Sequence, residues 1–212
     1  MATGNRSTDG RGGRWRLALG LAVLLGGCVE SSTADAPKSV LVAGRMVTIA
    51  APQGFCVDKA ASRDSAKGTF VLMGSCASLT GSFTASRPRD PAILTASVYP
   101  GGGANFAAAL PGMATFLASP AGRAALSRSG KAASVTIGAI GTEGGVMYIR
   151  ASDSAPAPGQ EVEPEYWRAI LSVKSSIVSL SVLGLKAHPL STEAKRALLE
   201  RLVARVVAAN AP

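Results

Sequence analysis

Three cysteines and one histidine are the residues best suited to covalent, redox or metal chemistry in this chain. Cys28 ends a short apolar run, Cys56 and Cys76 are separated by 19 residues, and His188 is the only histidine. Zinc sites take closely spaced Cys and His ligands, and the sequence contains no CxxC pair. Cys56 and Cys76 are therefore either a structural disulfide or a metal or redox pair, and the compartment of the protein decides between these alternatives.

The segment before Cys28 has the layout of an export signal. Three arginines precede an uncharged run of nine residues, in the order Arg11, Arg14, Arg16 and then Leu17–Leu25. A basic region followed by a short apolar one is typical of a secretory leader. The run is too short for a transmembrane helix, because a bilayer core needs about 20 apolar residues.

The residues Leu25-Gly26-Gly27-Cys28 resemble the lipobox of bacterial lipoproteins. In that family the cysteine thiol is alkylated with diacylglycerol, the leader is cut before the cysteine, and the new amino terminus is acylated. The resemblance implies a lipoprotein signal peptide over residues 1–27, lipidation of Cys28 and a membrane anchor without a spanning helix. The alternatives are a secretory signal with an incidental cysteine, or an apolar core helix, which the glycines at 20, 26 and 27 disfavour.

Export would place the remaining cysteines in an oxidising compartment, where such pairs usually form disulfides. The sequence therefore predicts a Cys56–Cys76 bridge. Val29 after the lipidated cysteine resembles the family's outer-membrane sorting pattern. We expect a lipoprotein of the cell envelope that faces the periplasm and lies at the outer membrane.

Length and composition predict one domain. Residues 28–38 are small and polar, as in a flexible tether, and residues 39–212 suit a single domain. The chain has 22 Lys and Arg against 13 Asp and Glu, and without the leader the net charge is about +6. The basic residues are scattered and have no interleaved aromatic residues, which argues against a nucleic-acid partner. A cluster at 195, 196, 201 and 205 is expected to form a solvated basic helix face.

The order of predicted elements indicates an α+β fold with an antiparallel sheet. Strands are expected near residues 40–42, 46–49, 55–57, 69–76, 92–99, 134–139, 145–151, 166–173 and 177–185. Loops are expected over residues 58–67, 78–91 and 152–164, and helices over residues 105–118, broken at Pro111, from Ser119-Pro120 to about 127, and over 191–209. In the last strand Val178, Leu180 and Val182 alternate with serines, which predicts a half-covered sheet. The last helix is amphipathic and should pack on that sheet.

This arrangement resembles the Mog1/PsbP-like group, which includes bacterial lipoproteins of the DcrB and LpqN type. The resemblance rests on Ile49–Phe55 (IAAPQGF), on the hairpin over Tyr166–Leu185 and on the helix that follows it. It implies an antiparallel sheet flanked by helices and a non-enzymatic role.

No catalytic constellation is recognisable. A serine nucleophile needs a histidine, and His188 is isolated in a loop without a GxSxG motif elsewhere. The glycines of Gly138–Gly144 have the wrong spacing for a dinucleotide site, and Gly130-Lys131 lacks the rest of a phosphate loop. Glu161, Glu163 and Glu165 are interpreted as a solvated acidic loop, with weak calcium binding as the alternative. Tyr166 and Trp167 could line a small pocket but are expected in the core.

The sequence therefore predicts a non-catalytic envelope lipoprotein with no cofactor and no metal. Its expected partners are the membrane, through the anchor, and an envelope protein or glycan. The alternative is a small-molecule carrier or sensor that uses a cleft between sheet and helix.

Overall fold

The computed structural model describes residues 36–66, 68–157, 159 and 161–212. Cys28 and the predicted signal peptide lie outside these residues. The strands are β1 Ser39–Val42, β2 Val47–Ala50, β3 Phe55–Ser65, β4 Gly68–Ser75, β5 Ala92–Gly102, β6 Val135–Glu143, β7 Val146–Asp153, β8 Val162–Val173 and β9 Ser176–Leu185. The helices are α1 Cys76–Thr80, α2 Phe106–Ala118, α3 Pro120–Leu126 and α4 Thr192–Ala209, with a short 3-10 turn at Ala132–Ser134.

Seven strands form one antiparallel sheet in the order β3-β4-β5-β9-β8-β7-β6, and β1 and β2 form a separate hairpin. The two predicted hairpins, β6-β7 and β8-β9, are both present. Strand β5 pairs with β9, so the first and last thirds of the domain meet in the centre of the sheet. The α+β class and the C-terminal helix on the sheet are confirmed.

One face of the sheet carries the larger core. Val178, Leu180 and Val182 point towards α4, and Leu94 and Val98 extend the same surface from β5. Helix α4 contributes the buried side chains Leu198, Leu199, Leu202, Val203 and Val206. The β1-β2 hairpin adds Val47 and Ile49 to the same core.

The opposite face is covered over part of its width. Helices α2 and α3 place Phe106, Leu110, Leu117 and Leu126 against Met147 and Ile149 of β7 and Tyr166 of β8. This second core lies over the β6-β7-β8 half of the sheet. Ile177 and Leu183 of β9 pack against its border, and no residue of β4 or β5 belongs to it.

The Cys56–Cys76 disulfide predicted from the sequence is present, with a Cα–Cα distance of 4.8 Å. Cys56 lies at the start of β3 and Cys76 at the start of α1. The adjacent backbone is bonded as well, since the N–H of Cys76 donates to the carbonyl of Gly54 at 3.0 Å. The bridge therefore fixes the end of the β3-β4 hairpin.

Polar groups fix both ends of helix α4. The Ser191 hydroxyl caps its first turn, accepting from the N–H of Ala194 at 3.1 Å, at the residue where the predicted helix begins. At the other end the side-chain amide of Asn210 bonds both the N–H and the carbonyl of Thr48, at 2.9 and 2.7 Å. The helix thus also orders the β1-β2 hairpin.

The prediction of a solvated basic face on α4 is wrong for Lys195 and Arg196, whereas Arg201 and Arg205 are exposed. Lys195 is 2% exposed and its Nζ lies 3.2 Å from Glu163 and 3.3 Å from Glu165. Arg196 lies over the Tyr148 ring at 3.5 Å and bonds Glu143, and Arg201 pairs with Asp90. Acidic groups far away in sequence neutralise these cations, which the pattern along one helix does not reveal.

Several elements differ from the prediction, among them β8, which begins at Val162 within the predicted loop over residues 152–164. Strand β3 continues to Ser65 through polar residues, because it is an edge strand whose outer side faces solvent and whose backbone pairs with β4. Helix α2 passes through Pro111, where the acceptor carbonyl left unbonded belongs to the exposed Ala107. The five-residue helix α1 is an additional element in a segment predicted as strand and loop.

Within the described residues, no helix is both long and apolar enough to cross a bilayer.

We expect loss of the disulfide to lower the stability of the domain. Replacing both cysteines (Cys56→Ala with Cys76→Ala) should reduce the free energy of unfolding by about 3 kcal/mol, because the closed loop no longer restricts the unfolded chain. The melting temperature should fall by roughly 6–12 °C. Calorimetry with and without reductant tests this, since reductant should shift the wild type and leave the double variant unchanged.

Lys195→Met should lower the free energy of unfolding by about 3 kcal/mol, because it leaves Glu163 and Glu165 without their shared cation. Arg205→Met on the exposed side of the same helix is the control and should change stability by less than about 0.5 kcal/mol. Urea unfolding of both variants measures the difference. Equal effects would show that the buried ion pair adds nothing beyond helix packing.

Candidate functional site

The part of the sheet left open by α2 and α3 forms the floor of a cleft. Along β9, Ser179 and Ser181 face this cleft while the alternate residues face α4. Strand β5 repeats the pattern with Thr95 and Ser97. The half-covered sheet predicted from the alternation in β9 is confirmed, and its uncovered face is lined by hydroxyl groups.

The cleft has a volume of about 440 Å³. Its apolar lining comes from the sheet and from the helical wall: Phe70, Tyr99, Ile170 and Ile177 from the strands, and Met113, Phe116, Leu117 and Leu126 from α2 and α3. A cavity of about 200 Å³ adjoins it towards Tyr166 and Leu183 and shares Phe70, Thr95 and Arg168 with it. A third cavity, of about 290 Å³, adjoins it at Phe70, Ser97 and Tyr99.

The α2-α3 junction builds the wall of the cleft. Ser119 ends α2 and caps α3, and its hydroxyl accepts from the N–H of Gly122 at 3.2 Å. Gly122 packs so closely that a Cβ there would overlap the carbonyl of Phe116 and the Cα of Leu117. The sequence predicts the Ser119-Pro120 start of α3, and the close approach at Gly122 holds Phe116 and Leu126 on one wall.

Two aromatic side chains at this cleft are largely open to solvent. Tyr99 of β5 is 54% exposed and Phe116 of α2 is 48% exposed. Both line the same cavity, one from the sheet and one from the helical wall. They give the cleft an apolar rim.

Arg168 of β8 is a half-buried cation in this cleft. Its Nε donates to the hydroxyl of Ser181 at 3.0 Å, and its guanidinium lies 5.2 Å from the Tyr166 ring. Within the part of the chain that the structure describes, it forms no ion pair. The cleft therefore contains a positive charge without a neighbouring carboxylate.

Arg128 stands at the junction of the cleft and the loop after β7. Its guanidinium donates to the carbonyls of Ala155 at 2.8 Å and of Glu163 at 3.3 Å. The backbone N–H of Arg128 donates to the carboxylate of Asp153 at 2.7 Å. These contacts hold α3, β7 and β8 together around one wall.

Asp153 is 1% exposed, and this network favours its ionised carboxylate. Burial by itself raises the pKa of the Asp153 carboxyl, but the N–H groups of Arg128 and Ala155, the Ser134 hydroxyl and the Arg128 charge together bring that pKa below its usual value. The carboxylate is thus a fixed acceptor that orders the segment carrying Arg128.

Tyr166 and Trp167 point to opposite faces of the sheet. Tyr166 is buried, lines the smaller adjoining cavity and donates its hydroxyl to the carbonyl of Leu126 at 3.2 Å. Burial raises the pKa of the Tyr166 phenol. Trp167 packs against the α4 core and lies beneath Arg196. Tyr166 therefore serves both core and cavity, the two alternatives predicted for this pair.

The predicted acidic loop is wrong for two of its three residues. Glu163 and Glu165 lie within β8 and bond Lys195, while Glu161 is exposed and pairs with Lys186 at 2.8 Å. The lysine side chain reaches them from a helix 30 residues away in sequence. No cluster of three or more His, Cys, Asp and Glu suited to a metal occurs among the described residues.

His188 and a second, basic cavity lie apart from the cleft. His188 is exposed and bridges Leu185 through its backbone. Arg87 and Arg89 line a separate cavity of about 400 Å³ with Arg201 and Asp90, where an ion pair already forms. The sequence reasoning missed Arg168 altogether. The alternation of Thr95 and Ser97 with Leu94, Ala96 and Val98 was an available signal for the cleft floor.

Asp153→Asn should lower the free energy of unfolding at pH 7 by about 2 kcal/mol, because hydrogen bonds to a charged acceptor are lost. The folded-state pKa of Asp153 is lowered, so its contribution is complete above the unfolded pKa of about 3.9 and is lost as pH falls through the folded value. The difference in the free energy of unfolding between wild type and variant should therefore become smaller below about pH 4. Urea unfolding from pH 7 to 3 measures it, with Asp90→Asn as the surface-pair control, and a pH-independent difference would contradict this role.

Comparisons with known proteins show no family for this chain. No protein-family model matches the chain, and no curated protein matches it. A protein of Bacteroides thetaiotaomicron VPI-5482, with a crystal structure at 1.50 Å resolution, is similar over 78% of this chain at 11% identity and a TM-score of 0.38. This chain spans about half of that protein, 47% of its length. A likeness of this size carries no argument about function, and the lipobox and Mog1/PsbP-like resemblances stay predictions.

Proposed function

We propose that this protein is a membrane-anchored envelope lipoprotein whose domain binds a small molecule in the cleft between the sheet and α2-α3. The cleft itself carries the proposal. Its volume of about 440 Å³ falls within the range of roughly 300–1,000 Å³ typical of ligand sites. An apolar lining with a few convergent polar groups is the usual composition of such sites.

The lining favours binding over catalysis. The residues around the main cleft include serines, a threonine and arginines, and no His, Cys, Asp or Glu is among them. A serine or threonine becomes a nucleophile when a neighbouring base takes its proton. Arginine stays protonated and cannot do so. The domain is therefore proposed to be a carrier or sensor, not an enzyme.

The envelope location rests on two sequence features. Leu25-Gly26-Gly27-Cys28 supplies the lipobox-like anchor, and Val29 favours the outer membrane. The Cys56–Cys76 disulfide supports export, because disulfides persist in oxidising compartments and are rare in the cytosol. Lipid on Cys28 would leave the cleft-bearing domain beside the membrane on its tether of residues 28–38.

The order of strands and helices supports a relation to the Mog1/PsbP-like group. An antiparallel sheet between helices, closed by a helix after the β8-β9 hairpin, agrees with the element order on which that resemblance rests.

Ligand binding should stabilise the purified protein. In a thermal-shift screen over a broad metabolite library, a true ligand at 100 times its Kd adds about 2.7 kcal/mol to the free energy of unfolding. Phe116→Ala should weaken any hit at the cleft, whereas Phe83→Ala, at an exposed loop position outside the cleft, should leave it unchanged. A library without a single stabilising compound would overturn the small-molecule function.

The protein produced in a bacterium from its full reading frame should begin at Cys28 and carry diacylglycerol. Intact-mass spectrometry of the membrane fraction measures both, and Cys28→Ser should lose the lipid and leave that fraction. A bare thiol with residues 1–27 still attached would contradict the anchor.

A further inference from the structure

Resting on the small-molecule function above, we propose that the ligand is an amphipathic organic anion. Its head, a carboxylate or phosphate, pairs with the guanidinium of Arg168, and its apolar body lies between Tyr99 and Phe116. The ligand class follows from the charge, the exposed apolar surface and the hydroxyl groups of the cleft.

The charge of the cleft selects an anion. The three cavities are lined by Arg63, Arg128 and Arg168, and no Asp or Glu lines any of them. Asp153 lies beside Arg128 and lines a further cavity beyond it, so the uncompensated charge of the cleft is that of Arg168. A bound cation would face uncompensated positive charge in a partly desolvated site, where Coulomb interactions are stronger than in water. A carboxylate or phosphate is attracted by this positive charge, and its oxygens match the planar fork of N–H donors of a guanidinium.

Among these three arginines, Arg168 is the one whose guanidinium has N–H donors available for a ligand. Arg63 lies over the Phe70 ring at 5.1 Å, and the guanidinium of Arg128 is occupied by backbone carbonyls. Arg168 uses Nε for Ser181, and its two terminal nitrogens have no protein partner among the described residues. These nitrogens can make two parallel hydrogen bonds to an anionic head group.

The apolar part of the ligand follows from the rim. Tyr99 and Phe116 are two of the six large apolar side chains that are exposed in the described domain, and both line this cleft. Met113 and Ile170 continue the apolar surface inward. A small inorganic anion would leave this surface in water, whereas an alkyl or aromatic body would cover it.

The hydroxyl groups of the floor suit the head of the same ligand. Thr95 pairs in register with Ser181 and Ser97 with Ser179, so four hydroxyls form a patch across two central strands. Ser181 is already the acceptor of Arg168. Hydroxyls beside the guanidinium can donate to the oxygens of an anion that Arg168 holds.

Equilibrium dialysis of the natively processed full chain tests the ligand class. The probes are octanoate and octyl phosphate, neutral octanol, cationic octylamine, and acetate and inorganic phosphate as heads without a tail. We expect the two anionic octyl compounds to bind about tenfold to a hundredfold tighter than octanol, the range for a charge-assisted hydrogen bond. Acetate, phosphate and octylamine should bind more weakly than either.

Variants test separately how the anionic head and the apolar tail of the ligand contribute to binding. Arg168→Gln should remove most of the preference for the anions and leave octanol binding unchanged, while Arg168→Lys should retain part of it. Arg150→Gln is the matched control, since Arg150 is half-buried on the neighbouring strand β7 and does not line the cleft. Phe116→Ala should weaken all octyl compounds alike. Melting temperatures without probe establish that each variant is folded, and the comparison of heads on the wild type needs no variant.

The results distinguish this inference from the function on which it rests. Octanol or octylamine binding as tightly as octanoate, or anion binding unchanged in Arg168→Gln, would overturn the anionic ligand while small-molecule binding stands. Tight binding of inorganic phosphate alone would also overturn it, because the tail would then be irrelevant. No binding of any octyl compound, together with an empty metabolite screen, would overturn both.

Discussion

The seven-stranded sheet has two faces, and the helices of this chain cover one of them fully and the other in part. Helix α4 and the β1-β2 hairpin bury the face that carries Val178, Leu180 and Val182. Helices α2 and α3 reach over the β6-β7-β8 half of the opposite face. A sheet side without a cover cannot keep a large apolar surface in water. The strands β5 and β9 therefore present hydroxyls there, and the cleft is the result of this unequal cover.

Polar ties fix the cover that does exist. Lys195 joins the start of α4 to Glu163 and Glu165 on β8, and Asn210 joins its end to Thr48 on β2. Hydrophobic packing alone is tolerant of small shifts along a helix axis, whereas an ion pair and a bidentate amide define one position. Replacing a whole buried ion pair by apolar residues is often neutral for stability, whereas removing one partner leaves a buried charge and is costly. On the other face, Asp153 and Arg128 have the comparable task of joining α3 to the sheet.

Local patterns in the sequence predicted much of the fold. The alternation of β9, the Ser119 and Ser191 helix caps and the cysteine pair each depend on residues close in sequence or on the compartment. Strand order does not: β5 lies beside β9 because contacts between distant segments are satisfied together. For the same reason the pattern placed Lys195 in water and Glu163 in a loop, although each is the partner of the other. The site was predicted only as a cleft between sheet and helix. Arg168 was not recognised, because it lies in a predicted strand whose other residues are mostly apolar.

Arg168 is placed where its charge is not needed for folding. Its stem packs in the floor, its Nε is satisfied by a neutral hydroxyl, and its guanidinium lies near an aromatic ring, none of which requires an anion. A cation that is half removed from water without a counter-ion loses hydration, and a contact with an aromatic ring offsets part of that loss. On α4, Lys195, Arg196 and Arg201 each have a carboxylate partner, and Arg205 is exposed to solvent. The contrast separates a structural use of charge, which is complete within the domain, from the charge of Arg168, which the proposed anionic ligand would complete.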